Sequence, residues 1–349
     1  MTAGGGGGVL RVATTGASED GFALEREALR GMDVEIVEAP AERGAFLDAA
    51  RDADAVYARG HLRLDRAAVE SLRRCRVIAN ASVGVDHVDV AAATERGIPV
   101  TNIPDTFIEE VADHAMVLLL AAWRRLPQSE RLVREGRWRE GRPYLYGFPR
   151  LRGLTLGFIA FGRVPRAVAE RARPFGLRMK AYDPFVEEFA MLPYGVEPAP
   201  LDEVLATSDI VSMHAPSTPE ATRMLGAAEF ARMRPGALFV NTGRGSTVDE
   251  AALAEALRSG HLGGAALDVL EREPPEPGDP LLSMPNVIVT AHVASASSRF
   301  DPARRRRVGQ ELALVLSGRW PMSCVNPASL ERSGLRRWQP VSMLRGPNS

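Results

Sequence analysis

The chain has 349 residues, of which 45% are hydrophobic, so it can bury a large core and is long enough for two domains. Its 43 basic and 44 acidic residues give a net charge of -1, which disfavours nucleic acid and anionic membranes as partners. The only lysine is Lys180, which excludes a Gly-Lys-Ser/Thr phosphate loop and leaves a Schiff-base mechanism one candidate residue.

The two cysteines, Cys75 and Cys324, are too few for a disulfide framework. No His/Cys/Asp cluster has metal-ligand spacing, so no metal is predicted. We therefore expect reduced thiols in a cytoplasmic protein. The sequence has neither a signal-peptide pattern nor a run of 18 apolar residues, which predicts no membrane span. Residues 1–8 are expected to be disordered.

Short apolar runs alternate with helical patterns from Val9 onward, which predicts parallel sheets wound with helices. The first series of strands is predicted at 9–14, 33–38, 54–58, 76–79 and 98–101. The second is predicted at 155–160, 177–182, 209–213, 237–241, 265–269 and 287–290. The fold class is therefore α/β, with two doubly wound parallel-sheet domains.

Two helices complete this pattern. A long helix is predicted at 107–126, where Thr106 and Glu109 have the spacing of a capping box. The segment RRRRVGQELALVLSG predicts a final amphipathic helix after the last strand. Its arginine run, 304–307, is expected to be a solvated face, because charge runs on helices usually are.

The turn after strand 155–160 has the order of a dinucleotide-binding unit: strand, turn, helix, and a second strand ending in Asp183. The usual G-x-G-x-x-G is here replaced by AFGRVP, residues 160–165. Gly162 keeps the middle position, where backbone approaches phosphate, and Pro165 falls in a first helical turn, where it is tolerated. The amides of Arg163 and Val164 remain available to a pyrophosphate. A strand–helix turn without a nucleotide is the alternative interpretation.

Asp183 favours the nucleotide, since a carboxylate at this position accepts hydrogen bonds from an adenosine ribose and repels a 2′-phosphate. NAD is therefore preferred over NADP. The alternative is a turn residue before Pro184.

Seven segments in order resemble the successive motifs of the D-isomer-specific 2-hydroxyacid dehydrogenases: NASVGVDHVDVAAATERGIPVTNIP, EEVADHAMVLLL, LGFIAFGRVPRAVA, VSMHAPSTPEATRML, NTGRGSTVDEAALAEAL, GAALDVLEREPP and PNVIVTAHVAS. The resemblance covers about 50–326. Within this family the segments look most like the C-terminal-binding-protein branch, which includes both dehydrogenases and corepressors. It implies an NAD-dependent enzyme that reduces a small 2-oxo acid.

The resemblance places the catalytic residues at Arg244, Glu273 and His292. These types suit the chemistry: a guanidinium can clamp a carboxylate and a carbonyl together. Hydride addition to a carbonyl leaves alkoxide character, which a protonated imidazole neutralises. Glu273 would orient His292 and favour its charged form.

The resemblance also implies further site residues. The amides of Val83 and Gly84 would bind the substrate carboxylate with Arg59 nearby, although a structural ion pair is an equal alternative for Arg59. Cofactor contacts are implied for Asp268, Thr242, Gly243 and His214, the last through its backbone and packing. The other histidines, which lack a matched catalytic context, are interpreted as structural: His61, His87, His114 and His261.

The resemblance implies a flavodoxin-like substrate domain of 9–105 plus 296–326, and a Rossmann NAD-binding domain of 106–295, with a cleft between them. Residues 327–349 are expected to form a flexible tail. Family members usually form dimers through the cofactor domain, so a homodimer is expected. Two alternatives remain open: a corepressor-like, NAD-binding scaffold with vestigial catalysis, and an enzyme of the same mechanism that acts on an unusual biosynthetic acid. Ala160, Pro165 and Ala291 depart from the family pattern.

Overall fold

The computed structural model describes residues 8–16, 18–59 and 62–338. Of the start predicted to be disordered, residues 1–7 lie outside this range. The chain divides into two compact units, one comprising the described residues up to Thr106 and from Ser298 onward, the other Phe107–Ser297. The sequence analysis placed these boundaries at 105/106 and 295/296.

The first unit is a five-stranded parallel sheet with the order β2-β1-β3-β4-β5, which is the flavodoxin-like order. Its strands are β1 Leu10–Thr15, β2 Val34–Ala39, β3 Ala55–Ala58, β4 Ile78–Asn80 and β5 Val100–Thr101. Its helices are α1 Ala23–Ala28, α2 Arg43–Ala50, α3 Arg66–Ser71, α4 Val90–Glu95 and, from the far end of the chain, α13 Phe300–Leu316. All five strands predicted for this unit are present.

Helix α13 packs against one face of this sheet. Val308, Leu312 and Val315 lie in an apolar cluster with residues of β1 and β3. Arg305 is 9% exposed and bonds Glu25 of α1, whose side chain is fully buried, as well as Asp20. The prediction that 304–307 forms a solvated face is therefore wrong for Arg305, because its charge is matched by carboxylates far away in the sequence.

The chain after Asn326 remains packed on this unit. Residues Pro327–Ser329 form a 3-10 turn, and Ser329 and Leu330 are buried. The amide of Arg336 bonds the carbonyl of Gly318. The prediction of a flexible tail from 327 is therefore wrong for the described residues up to Arg336.

The second unit is a seven-stranded parallel sheet with the order β12-β11-β10-β9-β6-β7-β8. Its strands are β6 Thr155–Ile159, β7 Arg178–Tyr182, β8 Val196–Pro198, β9 Ile210–Met213, β10 Leu238–Asn241, β11 Gly264–Leu267 and β12 Val287–Val289. Its helices are α5 Ile108–Trp123, α6 Leu126–Arg134, α7 Gly141–Leu145, α8 Arg163–Ala172, α9 Leu201–Thr207, α10 Ala227–Arg232, α11 Glu250–Arg258 and α12 Pro280–Ser283. This is the Rossmann order, with its topological switch between β6 and β9.

The two parallel sheets confirm the predicted fold class, but one local prediction is wrong and one strand was not predicted. Helix α5 begins at Ile108 after Phe107, without a side-chain cap, so the predicted capping box at Thr106 is wrong. The carboxylate of Glu109 instead accepts a hydrogen bond from Arg171 of α8 at 2.6 Å. Strand β8 was not predicted, because a three-residue edge strand ending in Pro198 carries too little apolar pattern.

Candidate active site

The turn between β6 and α8 has the geometry of a phosphate-binding turn. Ala160 adopts a left-handed conformation at φ 68°, where glycine is favoured and a methyl group costs roughly 1–2 kcal/mol. Gly162 follows at φ -76°, is exposed, and has open space where a Cβ would lie. The backbone at Gly162 is therefore open to a ligand.

Helix α8 begins at Arg163, and no side chain caps it. The first amides of a helix have no partner inside the helix and carry the positive end of its dipole, so they favour an anion. Pro165 is buried in this first turn, where its missing N–H removes no helical hydrogen bond. The amides of Arg163 and Val164 therefore stay available, and this helix can hold a pyrophosphate.

Asp183 follows β7 and lies beside this turn. Its carboxylate accepts hydrogen bonds from the amides of Phe161 and Phe185, both at 2.8 Å. A carboxylate has about four lone-pair positions, so acceptor capacity remains for ribose hydroxyls.

Three further cofactor candidates follow the neighbouring strands β9 and β10. Thr242, after β10, is 8% exposed, and its buried hydroxyl has no hydrogen-bond partner among the described residues. Beside it, Gly243 packs close to the backbone of His214, which follows β9. The His214 imidazole lies 2.8 Å from the Ser212 hydroxyl, and burial lowers its pKa to about 3. Burial therefore favours the neutral imidazole at His214.

Arg244 is positioned by a tight backbone crossing. A Cβ at Gly245 would overlap the backbone carbonyl of Leu270, so only glycine fits there. The carbonyl of Arg244 accepts hydrogen bonds from Asn241 and Thr247. Its guanidinium is partly exposed and donates to the Gly243 carbonyl.

Glu273 and His292 form a direct pair. The Nδ1 atom of His292 lies 2.6 Å from Oε2 of Glu273, while Oε1 of Glu273 accepts from the Leu270 amide at 2.9 Å. The His292 side chain is 48% exposed, so its Nε2 edge remains available to a substrate. Glu273 therefore orients the imidazole through one ring nitrogen and leaves the other for chemistry.

The charges around this pair act on both residues. The hydrogen bond to Glu273 raises the pKa of His292, against an opposing effect of burial and of the nearby Arg244 charge. Burial would raise the pKa of Glu273, but its bonds to His292 and Leu270 outweigh burial and lower it. The arrangement thus favours an imidazolium beside a carboxylate, which is the charge state of a general acid.

Asp268 follows β11 and lies beneath the His292 turn. Its side chain is 1% exposed, and its carboxylate accepts from the Thr290 hydroxyl and from the amides of Val293 and Ala294. The visible role of Asp268 is to hold this turn. Its predicted contact with the nicotinamide side stays a prediction.

Three of the predicted substrate-binding residues lie in the first unit. The carbonyls of Val83 and Gly84 accept hydrogen bonds from Asn102 and Asn80, while neither amide has a hydrogen-bond partner among the described residues. The guanidinium of Arg59 lies 5.3 Å from the Tyr57 ring centroid, and its buried Nε has no partner in the described part of the chain. The roles of these three residues toward a substrate carboxylate stay predictions.

In the described ranges no group of three or more His, Cys, Asp or Glu residues could hold a metal ion. Hydrogen bonding to Glu203 raises the pKa of Lys180, which Glu197 also faces, so this lysine is held as an ammonium. Across residues 8–16, 18–59 and 62–338, no helix combines the length and apolar character needed to span a bilayer.

The fold and the site define a dinucleotide-binding protein with a hydrogen-bonded Glu273–His292 pair at the carboxyl edge of its sheet. Residues 116–294 match the model of the NAD-binding domain of D-isomer-specific 2-hydroxyacid dehydrogenases. A glyoxylate reductase of Korarchaeum cryptofilum is 40% identical over 290 residues, 83% of this chain and 87% of that protein. A D-3-phosphoglycerate dehydrogenase of Archaeoglobus fulgidus is 37% identical over 291 residues; these are 83% of this chain but 55% of that enzyme.

A solved structure is also similar. It is an NADPH-dependent glyoxylate/hydroxypyruvate reductase of Sinorhizobium meliloti, in complex with NADP and malonate. It is 35% identical with a TM-score of 0.79 and covers 95% of this chain and 99% of its own. The chain therefore belongs to the D-isomer-specific 2-hydroxyacid dehydrogenase family, whose matched domain binds NAD. This confirms the predicted family and cofactor, while closeness to the C-terminal-binding-protein branch stays a prediction.

The second unit fits NAD on its own features. The uncapped start of α8 and the open backbone at Gly162 match a pyrophosphate, and the unpartnered hydroxyl of Thr242 matches a polar ligand group. Asp183 retains acceptor capacity for ribose hydroxyls.

Proposed function

We propose that the protein is an NAD-dependent 2-hydroxyacid dehydrogenase that interconverts a small 2-oxo acid and its 2-hydroxy acid. The observation that carries this proposal is the 2.6 Å contact between His292 and Glu273 on the carboxyl edge of a dinucleotide-binding sheet. The names of the relatives support a small acid as substrate, since both a glyoxylate reductase and a glyoxylate/hydroxypyruvate reductase are among them.

In the proposed mechanism NADH, when bound, supplies a hydride to the substrate carbonyl carbon. His292 donates the proton from Nε2 to the carbonyl oxygen, while its Nδ1 stays bonded to Glu273. Arg244 binds the substrate carboxylate and polarises the carbonyl through its fixed guanidinium geometry. In the reverse direction the neutral imidazole accepts the hydroxyl proton, and Glu273 stabilises the imidazolium that forms.

The test is NADH oxidation with a panel of 2-oxo acids that includes glyoxylate and hydroxypyruvate. We expect turnover with at least one of them. His292→Ala should lower turnover by ~10²–10⁴-fold while NADH binding changes little. A comparable loss of NADH binding would instead assign His292 a structural role, and a panel without turnover would favour the corepressor-like scaffold.

We further propose that NADH is preferred over NADPH, because the carboxylate of Asp183 would face the 2′-phosphate. NADH should support turnover at least about tenfold better, which corresponds to about 1.4 kcal/mol. Asp183→Ala should narrow the ratio mainly by weakening NADH. Equal efficiency of the two cofactors in the parent protein would remove Asp183 from this role. The similar enzyme of S. meliloti is NADPH-dependent, so both cofactors should be assayed side by side.

The proposed assembly is a homodimer formed through the second unit, in a cytoplasmic protein whose two cysteines are free thiols. Large apolar side chains on and after α5 are exposed, with Leu126 at 59% and Trp138 and Tyr146 both at 75%. An apolar group of this kind is favoured at an interface between copies. Light scattering should give twice the chain mass, and Trp138→Asp should shift it toward the monomer.

A further inference from the structure

His114 lies on α5 and reaches the turn that follows β12. Its Nε2 atom lies 3.0 Å from Oγ1 of Thr290 and 3.4 Å from Oδ1 of Asp268. The side chain is 21% exposed and lies outside the proposed acid–base pair. Its contacts are 176 and 154 residues away in the chain, so no local pattern indicates them.

The direction of these hydrogen bonds follows from the inventory of donors. The Thr290 hydroxyl donates to Oδ1 of Asp268 at 2.6 Å, which uses its single hydrogen. Oγ1 of Thr290 can then only accept from His114, so Nε2 of His114 carries a proton. The result is a relay from His114 through Thr290 to Asp268.

Asp268 fixes the turn that contains His292. Its carboxylate accepts from the amides of Val293 and Ala294, and its backbone carbonyl accepts from the His292 amide, each at 2.9 Å. His292 itself adopts a left-handed conformation at φ 52°. A non-glycine residue holds this conformation only where its neighbours determine it.

We propose that His114 is a positioning residue for His292, acting through the hydroxyl of Thr290 on the Asp268 carboxylate. The proposal rests on the proposed function, because it gives His292 the role of proton donor. Without the donated hydrogen bond Thr290 can turn its hydroxyl away from Asp268. The turn would then relax, and the bond between His292 and Glu273 would lengthen.

The charged groups that face these residues give the effect a sign. His114 faces Asp268, while His292 is acted on by Glu273, Arg244 and Asp268. A weaker bond to Glu273 lowers the pKa of His292. The pH above which 2-oxo acid reduction fails should therefore be lower.

The test compares His114→Phe with His114→Gln, whose amide nitrogen can still donate to Thr290. In His114→Phe we expect kcat to fall on the order of tenfold with little change in the KM for NADH. The alkaline limb of the pH profile should move to lower pH. His114→Gln should recover both properties. Thr290→Val breaks the relay at its other end and should match His114→Phe, and the double variant should lose no more than either single change.

Three outcomes would overturn the proposal. They are an unchanged kcat and pH profile in both His114→Phe and Thr290→Val, a limb that moves to higher pH, or equal losses in His114→Phe and His114→Gln. Should His114→Phe not fold, His114→Gln and Thr290→Val decide the question. An NMR titration of the His292 imidazole, without substrate, reads the same pKa shift even if no 2-oxo acid is turned over. Failure of the positioning role is thus distinguishable from failure of the proposed function.

Discussion

Replacement of Gly162 by alanine separates cofactor binding from folding. A Cβ at this position meets no atom within 4 Å, and φ is -76°, so the variant can keep the backbone of the parent. Alanine is a poorer N-cap than glycine, but it also reduces the entropy of the unfolded chain, and these effects of up to about 1 kcal/mol oppose each other. The thermal midpoint should therefore change little.

The added methyl group would occupy the space that a pyrophosphate needs. Loss of one charge-assisted hydrogen bond between a helix amide and the phosphate costs about 1.5–3 kcal/mol, which weakens NADH by roughly tenfold to a hundredfold. Calorimetric titration with NADH measures this directly. Gly226→Ala is a matched control, since Gly226 caps α10 and a Cβ there makes an ordinary contact with Glu229. If Gly162→Ala binds NADH as tightly as the parent and the control, the turn after Ala160 is not the pyrophosphate site.

Three more outcomes are expected. Glu273→Gln removes the charge that raises the pKa of His292, so the alkaline limb of 2-oxo acid reduction should move to lower pH in a kcat profile; an unmoved limb would contradict the pairing. Ala160→Gly relieves the left-handed methyl and should add on the order of 0.5–1 kcal/mol to the free energy of unfolding, measured with denaturant; a loss of stability would refute the strain. Gly245→Ala forces the backbone away from Leu270, which should lower the free energy of unfolding by roughly 2–4 kcal/mol and lower kcat by displacing Arg244. An unchanged melting temperature and turnover would show that the backbone accommodates the added Cβ.

The strands could be predicted because buried parallel strands carry near-continuous apolar runs. Such a run can be recognised in the sequence without knowing which strands lie beside it. The candidate site residues came from the family resemblance rather than from the apolar pattern, and their roles stay predictions. What failed depended on partners distant in the sequence. Glu109 binds Arg171 instead of capping α5, and Arg305 is buried because it binds Glu25.

The role inferred for His114 shows the same limit. In the sequence His114 lacks a matched catalytic context, and it was therefore interpreted as structural. The relay to Asp268 exists only because β12 ends beside that helix. The left-handed backbone at Ala160 could not be predicted either, because alanine rarely adopts this conformation.

The split of the first unit across the chain has a consequence for biosynthesis. The second unit is continuous from Phe107 to Ser297, so all its strands are available before α13 leaves the ribosome. One face of the first sheet is covered only when Val308, Leu312 and Val315 of α13 have been synthesised. The carboxylate of Glu25 gains its ion pair with Arg305 at the same stage. The nascent chain therefore carries a complete second unit while one face of the first sheet still lacks α13, and that apolar face is the one exposed longest during synthesis.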